Sequence, residues 1–200
     1  MKLPVYDLEI SDDELNKSGV QYVAMVDDPA VQMDWQAFNN QAEVKFVADS
    51  DRRIILGVLM RADYPIFRKD ENRGDHYVKF KPSVIERIIN KFSKLGYHNN
   101  VNLMHQKDAV TEGVYMRGSF QVDKTLGISA PKGMDVEEGS WIGIYYVEND
   151  KIWDEVKAGT FKGFSVEGFF GYQFSKQIRE FENEDYDKAL DEVLSILNNY

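Results

Sequence analysis

The 200-residue chain contains no cysteine. A thiol nucleophile, a disulfide framework and any cysteine-ligated zinc or iron–sulfur site are thereby excluded. Basic residues are outnumbered, 24 against 34 acidic, for a formal net charge of −10. A nucleic-acid surface needs clustered Lys and Arg to meet phosphates, and no basic stripe interrupts the acidic excess. Long apolar runs are missing too, since nothing approaches the ~20 residues of a transmembrane helix. The start, Met1-Lys2-Leu3-Pro4-Val5-Tyr6-Asp7, turns acidic before an apolar signal core could form. The expectation is a soluble intracellular protein with no nucleic-acid or membrane partner. Histidine is scarce, three residues in all. No His-Glu-x-x-His helix, calcium loop or Gly-rich phosphate loop occurs, so no metal or cofactor is expected.

What remains is an ordinary globular balance, 43% hydrophobic and 29% charged, in a length that suits one domain. Short apolar runs read as strands over Val20–Val26 and Arg53–Met60. Further strands are expected around 76–80, 100–105, 113–122, 140–148 and 161–172. The charged stretch Pro65–Asp75 follows no apolar period and reads as an exposed loop. Pro82 opens a helix whose Val84, Ile85, Ile88, Ile89, Phe92 and Leu95 form one stripe, with Gly96 closing it. A second helix is expected from Asn149-Asp150 to Gly159. From Arg179 to Asp187 the chain is mostly acidic, after which Ala189, Leu190, Val193, Leu194 and Leu197 recur at helical spacing. The pattern predicts a β-rich α+β domain over 1–176, followed by an acidic linker and a C-terminal amphipathic helix over 177–200.

Two segments carry chemistry. Asn100-Val101-Asn102-Leu103-Met104-His105 ends in a histidine where a strand meets polar residues, and Lys162-Gly163-Phe164-Ser165-Val166-Glu167-Gly168 carries a serine. A serine becomes a nucleophile when a base such as histidine takes its proton. All three histidines precede Ser165, and Gly163-Phe-Ser-Val-Glu-Gly168 is one residue longer than Gly-x-Ser-x-Gly. The α/β-hydrolase arrangement is excluded on both counts. On a strand, Ser165 and Glu167 share a face about 6.5–7 Å apart, roughly the span of a histidine bridging a serine and a carboxylate. Glu167 is therefore a candidate orienting acid, as are Glu112, Asp123 and Glu148. The blander alternatives are a strand serine bonded to backbone, solvated carboxylates and a core histidine. His98 reads as a surface turn residue, and His76 has no second ligand to mark a metal site.

In order along the chain, Gly19–Phe38, Arg52–Met60 with Pro65-Ile-Phe-Arg68, Asn99–His105 and Gly159–Phe170 resemble the phage prohead serine proteases of Bacillus-type phages and prophages. That resemblance implies a capsid-maturation protease related in fold to the herpesvirus assemblins, a barrel-like β domain with surrounding helices. It makes His105 the general base and Ser165 the nucleophile. The assemblins complete the site with a second histidine after the serine. No histidine follows Ser165 here, so a carboxylate, Glu167 or Glu112, would have to fill that place. The implied partners are scaffold and major capsid precursor proteins inside the procapsid, in the host cytoplasm. Self-cleavage near residues 180–187 and self-association as a homo-oligomer are further expectations. The competing expectation is an inactive assembly or scaffolding protein that keeps the fold.

Overall fold

The structure, a computed structural model, describes residues 3–27, 47–49, 52–106 and 110–175. Its centre is a three-stranded sheet in which β2 (Gly19–Val26) lies between β10 (Gly163–Phe169) and β7 (Val101–Leu103). β10 runs antiparallel to β2, whereas β7 runs parallel to it. Val23, Ala24 and Met25 of β2 are fully buried, as expected of a central strand covered on both faces.

A second sheet orders β3 (Val47–Asp49), β4 (Ile54–Met60), β9 (Trp141–Val147) and β8 (Val114–Gln121), all antiparallel. β4 also packs against β10, joining this sheet to the central one. The third sheet orders β11 (Gly171–Phe174), β1 (Val5–Glu9), β6 (Gly74–Lys79) and β5 (Ile66–Asp70). Among the described residues none of these three sheets closes on itself. The domain is β-rich α+β as the patterning predicts, but the barrel-like closure is corrected to three open sheets around one main core.

Helix α1 (Pro82–Lys94) forms where the periodicity places it, with Pro82 in its first turn and Gly96 beyond its end at φ 70°. Val84, Ile85, Ile88 and Phe92 are buried and the helix packs on β2. Burying an aliphatic or aromatic side chain of this size contributes about 1.5–3 kcal/mol, so the stripe fixes the helix firmly to the central sheet. Lys91, also buried, donates from Nζ to the carbonyls of Ser11, Asp13 and Asn16 at 3.0, 2.8 and 2.7 Å. Helix α2 (Asp150–Lys157) starts at Asn149, whose side chain accepts from the Lys151 and Ile152 amides.

Three expectations are corrected. Pro65–Asp75 is no loop: Ile66–Asp70 pairs antiparallel with Gly74–Lys79. Its charged residues sit on an edge strand, where charge discourages pairing with foreign chains and hides the β signal. The stretch 161–172 divides into β10 and β11 with Phe170 between them. The strand at 100–105 ends at Leu103, so His105 lies beyond it. The acidic 180–187 segment, the amphipathic C-terminal helix and the boundary at 176/177 lie outside the described residues. Among the described residues, no helix is long and apolar enough to cross a membrane.

Candidate active site

Strand register builds the site. Ser165 pairs with Ala24, and Ala24 pairs with Asn102, so the three form one row across β10, β2 and β7. Paired residues point to the same face, and adjacent strands lie about 4.8 Å apart. Glu167, two residues along β10, therefore shares that face. Phe164 points the other way into the core, 1% exposed. This alternation anchors β10 by its apolar face while its polar face carries the candidate residues Ser165 and Glu167.

His105 reaches the same place by a different route. After Leu103 the chain turns sharply, with the Gln106 amide donating to the Leu103 carbonyl at 3.0 Å. Met104 and His105 occupy the middle of this turn at φ 49° and 57°. Positive φ at both central residues is the type I′ pattern, usually taken by Gly, Asn or Asp. A non-glycine residue held there carries roughly 1–2 kcal/mol of steric cost. The Met104 amide ties the turn to β2 by donating to the Met25 carbonyl at 3.0 Å.

The turn delivers His105 Nδ1 to 2.8 Å from Glu167 Oε1, and Asn102 Nδ2 donates to the same oxygen at 2.9 Å. An ionised carboxylate only accepts, so against it Nδ1 is the donor, and in the neutral ring Nε2 then keeps its lone pair. That tautomer can act as a base. The His105 side chain is about half exposed at 48%, Glu167 is 25% exposed and Asn102 is fully buried. Among the described residues no hydrogen bond joins Ser165 to His105.

Ser165 is 4% exposed and borders a cavity of about 350 Å³. Its walls include Leu59, Met60, Ile66, Phe80 and Phe170, together with the guanidinium-bearing Arg61 and Arg68. Arg61 is held by two hydrogen bonds to Glu137 and stacks on the Tyr64 ring at 3.8 Å. The cavity is mostly apolar with a few polar groups in its wall, the usual make-up of a binding pocket.

The other candidates are placed elsewhere. Glu112 is exposed in the turn before β8 and, among the described residues, makes no hydrogen bond to His105. Asp123 caps a 3-10 turn by accepting from Thr125 and Leu126. Glu148 is exposed, and its carbonyl accepts from Arg53. His76 is fully buried between Tyr6 and Tyr172, with Nδ1 2.9 Å from the Gly74 carbonyl. His98 packs edge-on to Phe92. Among the described residues no group of three or more His, Asp or Glu could hold a metal.

Asn102 escaped the sequence reading. Its signal was a polar amide inside Val101-Asn102-Leu103, where strand burial favours apolar residues unless a partner waits. Residues 41–172 match the family described as Putative phage serine protease XkdF. That span is about two thirds of the chain and contains Asn102, His105, Glu112, Ser165 and Glu167. No curated protein matches, and no solved structure matches.

Proposed function

The chain belongs to this family of phage serine proteases, and on that premise we propose that it is a serine endopeptidase working through Ser165, His105 and Glu167. The observation that supports this reading is the His105–Glu167 bond on the sheet face that carries Ser165. Nε2 of His105 takes the Ser165 proton as Oγ attacks a peptide carbonyl. The resulting imidazolium is stabilised by Glu167, and the same proton is then given to the leaving amine. Water hydrolyses the acyl-enzyme with His105 again as base. The Ser–His contact of such sites commonly tightens only when substrate is bound, which reconciles the mechanism with a serine that is not hydrogen-bonded to the imidazole. Asn102 holds Glu167 from behind.

The substrates we infer are scaffold and major capsid precursor proteins inside the procapsid in the host cytoplasm, with self-cleavage in the acidic 180–187 segment. Kinship with the Bacillus-type prophage enzymes and the herpesvirus assemblins belongs to the same proposal. It would make this site a variant in which a carboxylate takes the place of the second histidine. The competing reading, an inactive assembly protein that self-associates and retains the fold, draws on the missing Ser165–His105 hydrogen bond.

Co-expression with the phage's scaffold and capsid proteins, followed by intact mass measurement, separates the two. Wild type should yield fragments that Ser165→Ala and His105→Ala do not, since losing either group of a triad lowers kcat by about 10⁶. Identical full-length masses in all three, with procapsids assembled, would favour the assembly protein.

A further inference from the structure

Among the described residues Arg68 has no carboxylate to match its charge. It lies on β5 and lines the cavity beside Ser165, yet its hydrogen bond is to a neutral group, the Phe67 carbonyl at 2.8 Å. Among the described residues no carboxylate pairs with it. Other arginines of the domain contrast with it: Arg61 has Glu137, Arg87 has Glu9 and Asp12, and Arg73 has Asp70. Burial draws the Arg68 guanidinium below its ordinary pKa, opposed by the neighbouring Tyr172, though an arginine remains charged throughout the physiological range. A half-buried cation against Ile66, Phe80 and Leu59 is poorly solvated and gains when a carboxylate arrives. The acidic group on the cavity wall, Glu167, is already engaged by His105 and Asn102.

We propose that the cavity beside Ser165 is a specificity pocket for an acidic side chain of the substrate, with Arg68 as its recognition residue. The inference rests on the protease reading of Ser165 and deepens it. An extended peptide placed over Ser165 would lower one side chain into the cavity. The apolar walls contact its methylenes, and the guanidinium meets its carboxylate in a two-pronged bond. A volume of about 350 Å³ suits a side chain rather than a folded segment. A neutral amide of the same shape leaves the cation unpaired, so discrimination should be large.

The test uses blocked peptides, acetylated and amidated so that a side chain is the sole carboxylate, differing by Glu, Asp, Gln or Leu at each position around the bond cleaved. Wild type should prefer an acidic residue at one position by about tenfold to a hundredfold in kcat/KM. Arg68→Ala should abolish that preference while still cleaving the leucine peptides, and Arg68→Lys should retain part of it. Cleavage with equal rates for Glu and Gln overturns the pocket assignment and leaves the protease standing. If wild type cleaves nothing, the protease reading falls instead. Peptide binding to Ser165→Ala then decides the pocket separately: Glu bound more tightly than Gln in an Arg68-dependent way supports it, and equal binding overturns it.

Discussion

His105 Nδ1 and Glu167 Oε1 lie 2.8 Å apart, although the two residues come from strand systems separated by 62 positions of sequence. On the proposed mechanism Glu167 fixes both the tautomer and the direction of the imidazole, and its charge stabilises the imidazolium formed during attack. Glu167→Gln keeps the shape but inverts the hydrogen-bond logic, because the amide can donate to Nδ1. A loss in kcat of about 10³–10⁴ is expected by analogy with acid-to-amide changes in other triads. Glu112→Gln should stay within about twofold. Single-turnover kinetics on one peptide checks both, and equal losses in the two variants would remove Glu167 from its role.

Asn102 acts one step further back. Its Nδ2 bonds Glu167 Oε1 at 2.9 Å from a fully buried position. Asn102→Ala should lower kcat by about tenfold to a hundredfold, the usual effect of losing a residue that orients a catalytic group. KM should hardly move, because Asn102 does not reach the substrate cavity. A fall in stability without that kcat-specific loss would mean that the amide merely fills space.

The sequence disclosed these parts unevenly. Helix α1 was readable because six apolar residues recur at one period between Pro82 and Gly96, and local rules suffice for such a segment. β5 was not, because its charged side chains belong to an edge whose partner, β6, is needed to define it. Ser165 and Glu167 could be placed on one face by alternation alone. The link from Glu167 to Asn102 and His105 could not, because it crosses β2 and depends on register with Ala24 and Tyr22. His105 was expected at the end of the strand over 100–105. It arrives at the site through a left-handed turn, which no periodicity announces.

The β5–β6 turn depends on Asp70. Its Oδ1 accepts from the Arg73 and Asn72 amides at 2.6 and 2.8 Å, and Oδ2 lies 3.3 Å from Arg73 Nη1. The Arg73 amide, followed by that of Asn72 and the Arg73 side chain, lowers the carboxyl below its ordinary 3.8. The folded group thus holds its charge more strongly than the unfolded one. Its contribution is complete above the ordinary value and fades as pH falls through the lower folded value. The melting-temperature gap between wild type and Asp70→Ala should be present at pH 7 and narrow steadily below pH 3.8. A gap that widens in acid would contradict this.

Gly168 and Gly171 lie close together in sequence, but only one is sterically indispensable. A Cβ on Gly168 would fall 2.0 Å from the Gly19 carbonyl oxygen, whereas one on Gly171 would sit 3.7 Å from the Glu9 oxygen. Gly168 pairs with Val20 at the irregular end of the β10–β2 ladder, one residue from Glu167. The clash is with backbone, so no rotamer change relieves it. Gly168→Ala should cost about 1–3 kcal/mol, or roughly 2–12 °C in Tm for a chain of this size, and should depress activity by moving Glu167. Gly171→Ala should leave both within error. Thermal melts and peptide hydrolysis on the pair decide it.

Met104 stands at φ 49°, immediately before His105 at φ 57°, with its side chain 38% exposed. Its left-handed backbone carries about 1–2 kcal/mol of steric cost, while little packing is at stake. Met104→Gly removes that cost and adds about 0.5–1 kcal/mol of chain entropy in the unfolded state, a net gain of up to about 1.5 kcal/mol. The variant should therefore melt higher, by up to about 6 °C. The same freedom lets the imbalance appear in catalysis: a glycine beside His105 loosens the turn that aims the imidazole at Glu167, so kcat should fall severalfold as stability rises. Opposite movement of the two quantities identifies the turn as strain retained for function. If stability and kcat rise together, the left-handed pair has no part in positioning His105.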